Sequence, residues 1–170
     1  MLDKGEASIM PLRRRFLSLI GIGCIAASNL WFRNSAEANQ TLDQLSSQPV
    51  VQPVTGSPQN FITRAFEMRQ LAIDRGDQAY GAVVVREDRI IGQSWSRVIL
   101  DNDPTGHAEM SALRDAARRN GRESLSGAAL YSTSHPCSMC EAAAGWVGII
   151  SMVHGRSIID AGPPNPCSKG

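Results

Sequence analysis

The sequence is poor in aromatic residues, carries almost no excess charge of either sign and contains only four cysteines. Phe, Trp and Tyr make up 5% of the 170 residues, and 17 Lys/Arg stand against 16 Asp/Glu. Proteins that bind nucleic acids usually present a basic surface, because neutralising phosphates dominates their affinity. The even charge balance therefore argues against nucleic acid as a partner and favours a small-molecule substrate.

A long hydrophobic run is also lacking, since the apolar stretch near the N-terminus has the length of an export signal rather than of a membrane span. Residues 12–38 contain three consecutive arginines, then this apolar stretch, and end in Ala-Glu-Ala, the form of a signal cleavage site. The pair Arg13-Arg14, followed by x-Phe-Leu, resembles a twin-arginine signal. We therefore expect export to the periplasm or the extracellular space, with cleavage after Ala38 and no stable membrane association of the mature chain.

Two alternatives for the N-terminal segment stay open: an uncleaved membrane anchor, and lipidation at Cys24. Removal of residues 1–38 takes away five of the 17 Lys/Arg and three of the 16 Asp/Glu, which leaves 12 and 13 and a net charge of −1. Residues 39–57 are rich in Gln, Ser, Pro and Thr without periodicity, which predicts a flexible linker. One folded domain is thus expected over residues 58–170.

The domain shows no internal repeat and alternates helical and strand patterns. Ser57 and Asp103 are predicted helix caps, each followed by Pro at the first helical position, and Gly76 and Gly121 are predicted to end these two helices. A hairpin is expected around residues 86–89. The remaining predicted elements are a strand at 127–134, a helix at 136–148 and a strand at 149–155. The order α-β-β-α-β-α-β predicts a mixed sheet with helices on its faces.

Two short motifs lie where strands are followed by helices. His107 and Glu109 are predicted in the first turn of one helix, and Cys137 and Cys140 in the first turn of the next. Cysteines three residues apart share a helix face and can reach one ion. One imidazole and two thiolates leave the fourth position of a tetrahedral zinc open, as in catalytic sites, and a helix N-terminus should lower the pKa of the thiols. Glu109 can then accept a proton from water at the open position without binding the metal.

The stretches "GAVVVREDRIIGQ", "NDPTGHAEMSALR" and "LYSTSHPCSMCEAAA" together carry the H-x-E and P-C-x-x-C motifs of the zinc-dependent nucleobase deaminases. The sequence resembles the cytidine and deoxycytidylate deaminase superfamily, in the branch of guanine deaminase and the tRNA adenosine deaminases. This resemblance implies a three-layer α-β-α fold of the α/β class with a mixed sheet. It implies His107, Cys137 and Cys140 as ligands of Zn²⁺ and Glu109 as the catalytic proton shuttle.

The same resemblance implies hydrolytic deamination of a free nucleobase or nucleoside, with guanine or a related base as first choice. It places substrate contacts at Ser96, Ala108 and Pro136. Ser96 stands where the branch usually has an asparagine, and His135 stands where it usually has a glutamate. For His135 a fourth zinc ligand, a substrate contact and a tolerated rim residue all stay open.

The last fifteen residues are rich in Pro and Gly, which indicates that the C-terminal strand and helices of the family are shortened here. A partner subunit in a homodimer, an open site or a loss of catalysis would each fit that shortening. Two rival functions are therefore kept: a catalytically inactive zinc-binding relative, and a redox protein that uses the Cys-x-x-Cys pair. The redox function leaves His107 and Glu109 unexplained.

The export prediction can be tested with the double substitution Arg13→Lys and Arg14→Lys. The twin-arginine receptor reads both guanidinium groups, and lysine cannot reproduce their planar, forked hydrogen bonding. We expect the full-length precursor to accumulate in the cytoplasm, measured by cell fractionation and immunoblotting. Normal export of the double variant, with cleavage after Ala38, would indicate the general secretory route instead.

Overall fold

The computed structural model describes residues 49–121 and 124–164 of the chain. The predicted export signal and its alternatives, and all but the last part of the predicted linker, lie outside these residues. The helices are α1 Pro58–Asp74, α2 Ala108–Asn120 and α3 Ser138–Val147. The strands are β1 Gly81–Arg86, β2 Arg89–Trp95, β3 Ala129–Ser132, β4 Ser151–His154 and β5 Ile159–Gly162. None of the helices in the described ranges is both long enough and apolar enough to cross a bilayer.

The five strands form one mixed sheet in the order β2-β1-β3-β4-β5. Strand β1 is antiparallel to both of its neighbours, β3 and β4 are parallel, and β5 returns antiparallel along β4. The parallel pair requires a crossover, which α3 supplies. The predicted mixed α/β sheet and its element order are confirmed.

Strand β5 corrects one sequence expectation, because the Pro- and Gly-rich tail was not expected to form a strand. Met152 faces Gly162 and Val153 faces Asp160, with a register irregularity between them. Asp160 also accepts a hydrogen bond from the backbone N–H of Gly162 at 2.8 Å. The pairing with β4, rather than any local propensity, makes this segment a strand.

The helices lie on both faces of the sheet, since alternate strand residues point to opposite sides. On one face Phe61 of α1 packs against Tyr131 of β3, with ring centroids 5.2 Å apart. On the other face Ala82, Val84 and Leu130 belong to a buried cluster with residues of α2 and α3. Helices α2 and α3 therefore share one side, and the expected three-layer α-β-α arrangement is confirmed.

The hairpin between β1 and β2 turns at Glu87 and Asp88, whose φ angles are 52° and 56°. Two consecutive residues with positive φ are typical of a type I′ turn, whose twist matches that of the strands. Arg86 pairs directly with Arg89 across the turn. The predicted hairpin around residues 86–89 is confirmed.

The helix ends agree with the sequence at three of the four predicted positions. The Ser57 side chain accepts a hydrogen bond from the backbone N–H of Asn60 at 3.3 Å, and Gly121 adopts the left-handed conformation that ends α2. Gly76, with a φ of 79°, follows the end of α1. The cap predicted at Asp103 is wrong.

Asp103 forms a local turn instead of a cap. Its carboxylate accepts hydrogen bonds from the backbone N–H and the hydroxyl of Thr105, at 2.8 and 2.7 Å. Asp side chains form such turns as readily as they cap helices. Helix α2 therefore begins later, at Ala108, and the residue at its N-cap is His107.

The outer edge of β2 is covered by side chains. Gln52 donates its amide N–H to the carbonyl of Ile90 at 2.7 Å and accepts from the backbone N–H of Ile90 at 2.9 Å. The buried carboxylate of Asp115 on α2 accepts from the backbone N–H of Gln93 at 3.0 Å. These contacts occupy groups that an exposed edge strand would offer to other chains. They also hold part of the predicted linker against the domain.

Helix α2 lies very close to β2 at Gly92. A Cβ atom at this position would lie 2.5 Å from both the Cβ and the backbone nitrogen of Ala116. Real Cβ atoms do not approach backbone so closely, so only glycine permits this helix-to-sheet distance. Because His107 and Glu109 are at the start of α2, the contact also sets where these two side chains lie.

We expect Gly92→Ala to lower the free energy of unfolding by about 1–3 kcal/mol, the usual cost of overpacking, because α2 must move away from the sheet. Chemical denaturation measures the loss. Gly106→Ala is the control variant. The atoms nearest to its added Cβ would be 3.1 Å away, so they need to move only slightly and we expect a smaller loss of stability. Equal stability of Gly92→Ala and the wild type would contradict the assigned close approach.

Candidate metal and catalytic site

Three side chains from two helix starts meet on the face of the sheet that α2 and α3 cover. His107 is the N-cap of α2, Cys137 is the N-cap of α3, and Cys140 lies in the first turn of α3. The two caps have extended ψ values and make no side-chain capping bond, so both side chains are available to other partners. The structure thus brings together the three ligands that were expected from the sequence.

The three donor atoms form a nearly equilateral triangle. His107 Nδ1 lies 3.5 Å from Cys137 Sγ and 3.7 Å from Cys140 Sγ, and the two sulfurs are 3.6 Å apart. For tetrahedral zinc with the usual bond lengths, the N–S edges measure about 3.6 Å and the S–S edge about 3.8 Å. One nitrogen and two sulfurs at these separations fit zinc, and zinc is the cofactor of this site.

The same distances bear on the redox alternative. A disulfide has its sulfurs about 2.05 Å apart, whereas Cys137 and Cys140 are free thiols separated by 3.6 Å. Redox-active pairs also depend on a lowered thiol pKa. The surroundings of Cys140 have the opposite effect.

Burial raises the pKa of the Cys140 thiol, and the nearby Glu109 carboxylate and Cys137 raise it further. The sequence argument expected the helix N-terminus to lower the thiol pKa, and for Cys140 that expectation is wrong because desolvation is the larger effect. A bound divalent cation would reverse the balance, since a coordinating thiol is deprotonated. The site therefore has the character of a metal site, not of an isolated reactive cysteine.

Glu109 lies beside the triangle without belonging to it. Its Oε2 is 3.8 Å from Cys140 Sγ, and the residue is 5% exposed. Burial raises the pKa of this carboxyl, which a charge on His107 partly opposes. A carboxyl group with a raised pKa is suited to accept and return a proton.

A cavity of about 420 Å³ opens at the triangle. Its inner wall is formed by residues at the two helix starts, namely His107, Ala108, Glu109 and Cys137. Its outer wall comes from two loops, through Gln78, Tyr80, Ser134 and His135. The volume falls in the range of small-molecule sites. Ala108, one of the substrate contacts expected from the resemblance, lies in the wall.

The other two expected substrate contacts do not line this cavity. Ser96 is fully buried and lies next to Asp77. Burial by itself raises the pKa of the Asp77 carboxyl, but the backbone N–H of Leu100 and the side chain of Ser96 are among the contacts that lower it below its usual value. Pro136 is buried, and its carbonyl lies 2.7 Å from Nδ1 of His135.

His135 is a wall residue outside the group of metal ligands. Because a carbonyl can only accept, the contact with Pro136 places the proton of a neutral His135 ring on Nδ1. The ring also meets the edge of His154 at a centroid distance of 4.9 Å. Of the alternatives kept for His135, this position does not support a fourth zinc ligand.

Sequence reasoning missed Gln78, Tyr80 and Ser134 as cavity residues. Gln78 and Tyr80 follow α1 in a segment without a chemical motif, and Ser134 precedes the P-C-x-x-C motif without being part of it; only the folded sheet brings them together at the cavity. No local signal in the sequence could have identified them.

Comparison with known proteins agrees with this geometry. Residues 56–156 match the family described as the cytidine and deoxycytidylate deaminase zinc-binding region. A tRNA-specific adenosine deaminase of Aquifex aeolicus is 39% identical over 80 residues, which are 47% of this chain and 53% of that protein. A guanine deaminase of Bacillus subtilis is 35% identical over 89 residues, which are 52% of this chain and 57% of that protein.

A solved structure of guanine deaminase from Bacillus subtilis superimposes with a TM-score of 0.54 at 32% identity, over 56% of this chain and 61% of that one. The chain spans about half the length of the curated relatives it matches. The family match covers more than half of the 170 residues and includes every residue of the metal triangle. The chain therefore belongs to the family of the cytidine and deoxycytidylate deaminase zinc-binding region.

Proposed function

We propose that the protein is a zinc-dependent hydrolase that deaminates a nucleobase, free or as a nucleoside, with guanine or a related base as first choice. The observation that carries the proposal is the position of a buried carboxyl group, Glu109, directly beside three convergent N/S ligands in the wall of a cavity. A structural zinc site would have four protein ligands and would need no such carboxyl group.

His107, Cys137 and Cys140 would hold the zinc ion. When bound, zinc supplies a water whose pKa is lowered toward about 7. Glu109 would take the proton from this water and pass it to the ring nitrogen of the base, while the water oxygen forms a bond to the carbon that bears the amino group. Glu109 would then take the remaining proton of the added water and deliver it to the departing amine, so that the C–N bond breaks and ammonia and a carbonyl product result.

The choice between a small substrate and an RNA rests on charge. The guanine deaminase relative is named for a free base and the adenosine deaminase relative for tRNA. The chain without residues 1–38 has 12 basic and 13 acidic side chains, whereas a protein that binds RNA usually presents a basic surface to the phosphates. This favours a small substrate, and tRNA is included in the assay below as the competing outcome.

Ammonia release from guanine, adenine, cytosine, their nucleosides and an adenosine-containing tRNA anticodon stem tests the proposal directly. We expect release from at least one base or nucleoside by the zinc-loaded protein. A zinc-loaded protein that releases none from any of these would be an inactive zinc-binding relative. Release from the tRNA alone would overturn the small-substrate assignment.

The substitution Glu109→Gln separates chemistry from folding. Glutamine keeps the size of the side chain but cannot accept the proton, so turnover should fall by about 10²–10⁴-fold, the usual contribution of general acid-base catalysis. Zinc content and melting temperature should not fall, because Glu109 is not a ligand. Steady-state ammonia release, metal analysis and thermal unfolding measure the three quantities.

Glu67→Gln is the matched control, since it makes the same chemical change at a surface position of α1, where the carboxylate pairs with Arg64. It should leave turnover unchanged. Loss of zinc in Glu109→Gln would instead make Glu109 a metal ligand and contradict its assigned role.

A further inference from the structure

A second cavity, of about 550 Å³, adjoins the one at the metal triangle. The two share Gln78, Tyr80 and Ser134 in their walls, so they are neighbouring parts of one groove. The second cavity is completed by Arg69, Ala79 and Thr133. A base held beside Glu109 would leave this second space to whatever the base carries.

Arg69 is held in place from two sides. Its Nε donates a hydrogen bond to the carbonyl of Ala79 at 3.1 Å. Its backbone lies against β1, because a Cβ at Gly81 would be 2.3 Å from the Arg69 nitrogen. Within the described part of the chain, no hydrogen bond or ion pair involves the two terminal guanidinium nitrogens. A half-buried arginine fixed through Nε presents these nitrogens as a forked donor.

The other polar groups of the second cavity suit an anion. The Thr133 hydroxyl accepts a hydrogen bond from the backbone N–H of Gly81 at 3.2 Å, which leaves its own proton to donate. None of the residues lining this cavity is acidic. The nearest acidic residue in sequence, Asp77, directs its carboxylate to the backbone N–H groups of Ile99 and Leu100 at 3.2 and 3.0 Å.

A second arginine contacts α1 at Phe66, one turn before Arg69. The guanidinium of Arg156 stacks over Phe66 at 4.0 Å from the ring centroid. Phe66 and Arg69 are three residues apart on α1 and so share a face of the helix. Arg156 therefore adds positive potential on the side of α1 that carries Arg69.

We propose that the Arg69 cavity is a phosphate subsite, and that the protein deaminates a nucleoside monophosphate whose base lies beside Glu109. The proposal rests on the proposed function and specifies what the base carries. A forked arginine matches two phosphate oxygens at once, and Thr133 can donate to a third. A single dianionic group is enough to occupy this site, whereas an RNA strand would require a longer basic track.

The experiment compares guanine, guanosine and guanosine monophosphate, and the corresponding adenine compounds, by ammonia release and by calorimetric binding. We expect the wild type to prefer the monophosphate over the nucleoside by about 10- to 100-fold in kcat/KM and in affinity, the range for a hydrogen-bonded charge pair. Arg69→Gln should lower kcat/KM and affinity for the monophosphate to the values for the nucleoside, and so remove this preference. Inorganic phosphate should compete with the monophosphate only in the wild type.

Arg64→Gln is the control, because it removes the same charge from the same helix but lies at a different cavity, next to Gln52 and Glu67. It should keep the preference for the monophosphate. Arg69→Lys is the second variant and guards against misfolding of Arg69→Gln. Lysine keeps the charge but cannot form the forked contact, so we expect it to lose part of the preference.

A wild type that treats nucleoside and monophosphate alike would overturn the proposal. An equal loss of activity on the base and on the monophosphate in Arg69→Gln would also overturn it, because Arg69 would then have a structural role only. Activity restricted to RNA strands would overturn it as well. If no compound releases ammonia, the proposed function fails, but the binding measurements still test the phosphate subsite. Tighter binding of the monophosphate than of the nucleoside, abolished in Arg69→Gln, would support the subsite. Equal binding of the two compounds would refute it.

Discussion

The structure depends on bringing two thiols and an imidazole within 4 Å of one another, with a buried carboxyl group 3.8 Å from one of the thiols. Such a cluster is unfavourable by itself, because burial raises the pKa of both Cys140 and Glu109, and the Glu109 carboxylate raises the pKa of the Cys140 thiol further. A divalent cation turns this cost into a gain, since it binds the thiolates and compensates the carboxylate. Bound zinc would therefore help to stabilise the N-terminal ends of α2 and α3.

The scaffold achieves this convergence with backbone contacts rather than with charged networks. Gly92 allows α2 to lie directly on β2, and the parallel pairing of β3 with β4 sends α3 across the same face. Both helix starts then lie at one edge of that face. On the opposite face Gly81 allows the same close approach for α1, which brings Arg69 to the rim of the groove. Two glycines thus control which side chains meet around the substrate space.

Features that depend on residues close together in the chain could be predicted from the sequence alone. The spacings His-x-Glu and Cys-x-x-Cys are short enough to fix which side chains share a helix start, and the hairpin at Glu87 and Asp88 is a local turn. The misplaced cap at Asp103 shows where local reasoning ends, because the same carboxylate can bond Thr105 in a turn or cap a helix. The family resemblance, in contrast, came from the combined motifs and is confirmed.

Features made by distant residues could not be predicted. Strand β5 forms because it pairs with β4. The side chain of Gln52 donates a hydrogen bond to the backbone carbonyl of Ile90, which is 38 residues away in sequence. Arg69 carries no motif, and its place in the groove follows only from how α1 packs on β1. The thiol pKa of Cys140 was misjudged for the same reason, since the burial that raises it is a property of the folded core.

X-ray absorption at the zinc edge of the purified protein tests the central claim most directly. The account predicts one zinc per chain with two sulfurs at about 2.3 Å, one imidazole nitrogen at about 2.0 Å and one further light atom from water. It also predicts that the sulfur shell is lost stepwise in Cys137→Ala and Cys140→Ala. A first shell of four protein ligands, or a protein that binds no zinc when its two thiols are reduced, would contradict the account.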